Sequence, residues 1–131
     1  EDPVSRDGVP KVHKTTAATD PGHVVNPAQV ERQIAGSFVY GLSAAFYGEI
    51  TVKDGVVEQT NFDSYNVMRL GEMPKVECAL VPPGGFWGGV GEPTIAVAAP
   101  AVLNAIYKAT GNLRAVQILL GMATYCQRTS G

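Results

Sequence analysis

The chain has 131 residues and a mass of 13.8 kDa, which is the size of one domain. Its formal net charge of −2 argues against a nucleic-acid groove or an anionic membrane surface as the main partner, because both need clustered Lys and Arg. Its apolar runs are shorter than the roughly 20 residues that a membrane-spanning helix needs, so we predict no transmembrane segment.

A strand and a turn are predicted near the start of the chain. Residues 9–18 contain β-branched side chains at several positions and predict a strand. Asp20, Pro21 and Gly22 follow and predict a turn, because Pro fixes φ and Gly accepts a positive φ.

A long helix is predicted after this turn. Asn26 can cap the helix through its side-chain oxygen, Pro27 suits the first helical position, and Gly48 can end the helix. Apolar residues recur every four positions and predict one buried stripe, formed by Val30, Ile34, Phe38, Leu42 and Phe46. Small residues lie beside the stripe, so we expect a neighbouring element to pack closely against this helix.

A hairpin and a further strand are predicted next. Residues 50–53 and 56–60 have high β propensity and flank Asp54 and Gly55, a pair typical of two-residue hairpin loops. Residues 75–81 alternate in polarity and predict another strand.

A glycine-rich loop precedes a second predicted helix. Residues 82–93 include five Gly and three Pro, too many for the interior of a helix or strand. Because Pro cannot donate an interior hydrogen bond, we expect the regular helix to begin near Pro100 and to run to Thr110, before Gly111.

These elements predict an α+β fold, with helices packed on one face of a mainly antiparallel sheet. Residues 1–111 would form the folded portion. Residues 112–131 would form a divergent tail, which could hold a third helix from Leu113 through Met122.

Most motifs of known chemistry are absent from the sequence. The phosphate-binding and dinucleotide-binding glycine patterns do not occur, and neither does the nucleophile elbow of the hydrolases. His13 and His23 are ten positions apart, without Cys or carboxylate partners at zinc spacing. We therefore predict no metal ligands in this chain.

One carboxylate is placed unusually, in the segment 88–93. Glu92 follows residues with almost no side-chain bulk and precedes Pro93, and Phe86 and Trp87 lie nearby in sequence. Bare backbone can approach a large ligand closely, and a partly desolvated carboxylate is a stronger base. The alternative is a solvated Glu on a surface loop, which the residues by themselves favour.

Several segments together resemble the C-terminal part of the molybdenum-cofactor subunit of the xanthine oxidase family. The likeness is strongest to its aldehyde and isoquinoline oxidoreductase branch and extends over residues 9–111. It is carried by 88–94 with 99–106, by 20–27, by 33–36 with 41–43, and by 61–65 and 73–77. The resemblance implies that the chain is part of a larger molybdenum-cofactor-binding domain.

The resemblance also implies roles for three residues. Glu92 corresponds to the active-site glutamate, the general base that deprotonates the attacking oxygen. Gln33 corresponds to a glutamine that hydrogen-bonds the pterin cofactor, although by itself it would be read as a solvent-facing helix residue. Gly91 would contribute its backbone to the cofactor site.

The implied protein is a molybdenum hydroxylase that oxidises an aldehyde or an N-heteroaromatic substrate. Its molybdenum–pterin cofactor would be shared with the remaining part of the subunit, and iron–sulfur clusters would lie in a partner subunit. The compartment stays open, with the bacterial cytoplasm and the periplasmic side of the inner membrane both compatible with the resemblance. The alternative is a cofactor-free interaction or structural module, which the low charged content of 17% also fits.

Overall fold

The computed structural model describes residues 11–81 and 84–111, and these hold two helices and two small sheets. The tail predicted over 112–131, including its third helix, lies outside the described residues. The elements in chain order are β1 (Lys14–Thr19), α1 (Pro27–Tyr47), β2 (Val52–Lys53), β3 (Val56–Val57), a 3₁₀ turn (Leu70–Glu72), β4 (Lys75–Leu80) and α2 (Ile95–Thr110).

The longer sheet consists of β1 and β4, which pair in parallel from Lys14 opposite Lys75 to Thr19 opposite Leu80. β2 and β3 pair antiparallel and form a separate two-stranded sheet. The mixed helix and strand content is confirmed, but the mainly antiparallel sheet is not. The direction of β4 relative to β1 depends on the path of the connecting segment through α1 and the hairpin. The alternation of polar and apolar residues within a strand does not specify that path.

Helix α1 begins and ends where the sequence predicts. Its first turn is capped by Asn26, whose side-chain oxygen accepts a hydrogen bond from the Gln29 backbone N–H at 3.3 Å. The predicted stripe faces the core: four of its five residues are buried, and Phe46 packs against them half-buried. The core cluster is completed by three residues of α2, which are Ala98, Val102 and Ile106.

Helix α2 begins at Ile95, one turn earlier than predicted, so that Pro100 lies inside it. The added turn contains Ala98, which is 1% exposed and packs where α1 has only the bare backbone of Gly41. This contact favours the longer helix, although Pro100 cannot donate to a preceding carbonyl. Gly111 ends the helix as predicted, with φ at +65°.

The hairpin prediction is also confirmed. Asp54 and Gly55 have φ values of +51° and +77°, the pair of positive φ angles that a two-residue hairpin loop needs. The strand predicted over 75–81 corresponds to β4. In the part of the chain that the structure describes, neither helix has the length and apolarity to cross a bilayer.

Candidate functional site

The glycine-rich loop is fastened to the turn that follows β1. The His23 backbone N–H donates to the Phe86 carbonyl oxygen at 2.9 Å, and the Gly88 N–H donates to the Pro21 carbonyl oxygen at 3.0 Å. Two segments that lie more than 60 positions apart are thereby held together. Both belong to the motifs that carry the family resemblance.

Glycine at position 22 is required by this close approach. Gly22 has φ at +71°, and a Cβ atom there would overlap the Phe86 carbonyl oxygen. Its N–H donates to the Asp20 carboxylate at 3.0 Å, so Asp20 forms the turn that the sequence predicts. Asp20 therefore acts as a structural residue.

Ser37 connects the other end of the loop to α1. Its side chain is 4% exposed, and its Oγ lies 2.9 Å from the Gln33 carbonyl oxygen and 3.2 Å from the Gly91 carbonyl oxygen. The backbones of two predicted site residues, Gln33 and Gly91, are thus brought to one hydroxyl group. Sequence reasoning missed Ser37, because a serine among small helix residues carries no distinguishing spacing.

Glu92 is the residue directly after Gly91, whose carbonyl oxygen lies beside the Ser37 hydroxyl. Its carbonyl oxygen accepts from the Ile95 N–H at 3.1 Å, at the entrance to α2, and its side chain is exposed. Gln33 and Gly91 are exposed as well. The partial desolvation expected for Glu92 is therefore not seen within the described residues.

The aromatic residues of the loop do not cover Glu92. Phe86 is 51% exposed and Trp87 is 76% exposed. Trp87 instead contacts the His23 ring, with ring centroids 4.2 Å apart and planes inclined by 48°. Any shielding of the carboxylate must come from outside the described part of the chain.

The residues around Ser37 suit the organic part of a large cofactor. Cβ atoms added at Gly89 and Gly91 would meet no heavy atom within 4 Å, so this backbone is open to an incoming ligand. The exposed Gln33 amide can both donate and accept hydrogen bonds, as the edge of a pterin ring does. Among the described residues, no three His, Cys, Asp or Glu side chains are grouped as a metal site.

Two groups on β4, the Glu77 carboxyl and the Cys78 thiol, have shifted pKa values. The pKa of Glu77 is lowered by hydrogen bonds from Lys14 and Lys75, whose ammonium groups lie 2.7 and 3.0 Å from its carboxylate. The pKa of the Cys78 thiol is raised by burial and, to a smaller extent, by the negative charge of Glu31. Neither group touches the loop through a contact that the structure records.

A family model described as the molybdopterin cofactor-binding domain matches residues 5–74. The chain belongs to this family. This match, together with the relatives described next, confirms the predicted resemblance to molybdenum-binding subunits of the xanthine oxidase family.

Two curated relatives are identical to the chain at about a third of the aligned positions. It is 32% identical over 100 residues to the isoquinoline 1-oxidoreductase subunit beta of Brevundimonas diminuta, and the match covers 76% of this chain and 13% of that protein. It is 31% identical over 104 residues to a membrane-bound aldehyde dehydrogenase of Gluconacetobacter polyoxogenes that is named for pyrroloquinoline quinone. This match covers 79% of the chain and 14% of that protein.

The fold is similar to part of a Cu,Mo-containing CO dehydrogenase, with a TM-score of 0.68 and 27% identity. The match covers 79% of this chain and 14% of that one. The chain therefore spans only about one seventh of the length of the proteins it resembles.

Proposed function

We propose that the chain is one part of a molybdenum hydroxylase that acts on aldehydes or N-heteroaromatic compounds. Glu92 would act as its general base, and Gln33 and Gly91 would contact the pterin. The observation that best supports this arrangement is the pair of Ser37 contacts, which brings the Gly91 backbone to the helix turn that carries Gln33. The names of the isoquinoline and aldehyde relatives support the substrate class.

The part of Glu92 in the reaction is to accept a proton. When bound, the molybdenum–pterin cofactor supplies the two-electron oxidant. The Glu92 carboxylate would take the proton from the oxygen nucleophile as that oxygen attacks the electron-poor carbon of the substrate, and proton transfer of this kind contributes about 10²- to 10⁴-fold to a rate. Because Glu92 is exposed here, the remaining part of the subunit would complete its pocket.

The parts of Gln33 and Gly91 are to hold the cofactor. The exposed amide of Gln33 can pair with a ring edge that presents both donors and acceptors. The backbone of Gly91 leaves room for the ligand, since no atom lies where its Cβ would be. Ser37 fixes the spacing between these two contacts. Iron–sulfur clusters in a partner subunit would remove the electrons.

A cofactor-free structural module is the second candidate. Its support is the low charged content of 17%, below the roughly 25% of typical domains, together with exposed large apolar side chains such as Leu70 and Trp87. A module covered by partners would show the same features. The two candidates differ in whether the assembled complex contains the cofactor.

Replacing Glu92 tests the proposal. In the assembled complex, we expect Glu92→Gln to lower turnover by at least about 100-fold, because Gln cannot accept the proton. Molybdenum content and subunit composition should stay at the levels of the unmodified complex. Glu49→Gln, at another exposed glutamate, is the matched control and should leave turnover unchanged. Turnover retained in Glu92→Gln would contradict the assignment of the base.

A further inference from the structure

One edge of strand β1 has no partner within the described residues. The Lys75 N–H donates to the His13 carbonyl oxygen at 3.0 Å, and the Val81 N–H donates to the Thr19 carbonyl oxygen at 2.9 Å. In a parallel ladder, alternate residues direct their backbone groups to the same neighbour. Odd-numbered residues of β1 therefore face β4, whereas Thr16 and Ala18 direct N–H and C=O groups away from it.

An apolar groove lies beside this strand. It has a volume of about 440 Å³ and lies between helix α2 and the segment 11–16. Phe38 and Leu42 of α1 and Val102 and Ile106 of α2 contribute apolar lining. α1 packs on β4 and α2 packs on α1. The groove is lined by both the β1 segment and α2, so α2 lies on the side of β1.

The α2 wall of the groove carries exposed alanines. Ala101 and Ala105 line the groove and are exposed. Because their side chains are small, the backbone of another segment can lie close to the helix there. An unpaired strand edge is a template for a further strand, because its N–H and C=O groups recur at two-residue intervals. The unpaired edge of β1 can hydrogen-bond the backbone of an extended segment, and the groove can bind the apolar side chains of the same segment.

The length of the related proteins indicates which polypeptide supplies that segment. The chain covers 13–14% of its curated relatives and 14% of the matched CO dehydrogenase chain. In those proteins, the equivalent elements are embedded in a much longer polypeptide. An open sheet edge beside an apolar groove is the feature expected where such a fold continues into another segment.

We propose that an extended strand of the remaining part of the molybdenum subunit pairs with the open edge of β1 and packs apolar side chains against α2 at Ala101 and Ala105. The identity of this partner rests on the proposed function, under which the chain is one part of the molybdenum subunit. The paired residues would be Thr16 and Ala18, and alternate side chains of the added strand would enter the groove.

Amide hydrogen exchange in the assembled complex, resolved to single residues, tests the pairing. We expect the amides of Thr16 and Ala18 to exchange at least 100-fold more slowly than an unpaired amide. The Ala17 amide, which faces β4, should be protected as well and shows that β1 is folded. Protection of Ala17 together with exchange of Thr16 and Ala18 at the unpaired rate would overturn the proposal.

Substitutions in α2 test the contribution of the groove. Ala105→Arg places a long charged side chain at the α2 wall and should weaken co-purification with the remaining subunit at least 10-fold. Ala109→Arg, on the same helix but outside the groove lining, is the matched control and should assemble normally. Equal assembly of both variants would contradict the proposal.

Removing residues 1–10 distinguishes the remaining subunit from the chain's own N-terminal segment as the occupant. Protection of Thr16 and Ala18 should survive this deletion in the assembled complex, and its loss while assembly persists would overturn the proposal. These measurements report only pairing and assembly. Strand pairing can be confirmed even if Glu92→Gln retains turnover. It can also be refuted even if Glu92→Gln loses turnover, so the two proposals are tested separately.

Discussion

Ser37 is the residue on which the geometry of the candidate site depends. It is buried in α1 and lies within hydrogen-bonding distance of two carbonyl groups, one in its own helix and one in the glycine-rich loop. Glu92 is the residue immediately after Gly91, so the position of the carboxylate depends on how firmly Gly91 is held. Ser37, which takes no part in the proposed reaction, would thereby position the proposed base Glu92.

Ser37→Ala should separate this positioning from general stability. We expect a loss of about 1 to 2 kcal/mol in the free energy of unfolding, because the Gly91 carbonyl loses its partner. Turnover of the assembled complex should fall about 10-fold, since misplacement of a catalytic group is costly.

Ser43→Ala is the control for the serine substitution. Ser43 lies on the same helix and accepts a hydrogen bond from the Met68 N–H at 3.0 Å, away from the loop. Ser43→Ala should lower the free energy of unfolding by a similar amount while turnover of the assembled complex is retained. Equal turnover in Ser37→Ala and Ser43→Ala would show that Ser37 does not position Glu92.

The sequence predicted the site residues only in part. Glu92 was singled out by its bare glycine-rich segment, whereas Gln33, Gly91 and all three assigned roles came from the family resemblance. These roles remain predictions. Ser37 could not be found, because its second contact joins residues 54 positions apart. The expected shielding of Glu92 is not seen within the described residues, because Glu92 is exposed and Trp87 contacts the His23 ring instead.

At the level of elements, the contact between α1 and α2 depends on Gly41. A Cβ atom at this position would lie 2.5 Å from the Ala98 Cβ and 2.9 Å from the Ile95 carbonyl oxygen. The helices can approach this closely only because α1 has no side chain there. The same contact explains why α2 extends one turn beyond its predicted start.

Gly41→Val should force the two helices apart. We expect it to lower the free energy of unfolding by about 1 to 3 kcal/mol, as overpacked cores do, measured by denaturant unfolding. Gly36→Ala is the matched change on the same helix, where a Cβ atom would meet nothing within 4 Å. It should raise stability by roughly 0.5 to 1 kcal/mol, because Ala has the higher helix propensity. Similar losses in both variants would contradict the packing account.

Elements fixed by local signals were predicted well, and pairings between distant segments were not. The Asn26 cap and the positive φ angles of Asp54 and Gly55 depend on neighbouring residues, and both α1 and the hairpin were found as expected. The parallel pairing of β1 with β4 joins positions 61 apart, such as Lys14 and Lys75. Nothing in the alternation of either strand specifies which direction its partner takes.

For the molecule as a whole, the described surface resembles that of a piece taken from a larger protein. Large apolar side chains are highly exposed at several places, including Val25 at 81% and Leu70 at 88%. Within residues 11–81 and 84–111, one edge of β1 is unpaired and the proposed base Glu92 is exposed. The chain spans only about one seventh of the length of the proteins it matches. Under the proposed function, these surfaces would be buried in the assembled complex.

The molybdenum and pterin content of the assembled complex tests the central claim most directly. We predict one molybdenum atom and one pterin for each copy of this chain, measured by elemental analysis and by pterin release from the purified complex. A complex that contains every partner chain but neither molybdenum nor pterin would contradict the account and favour the cofactor-free module.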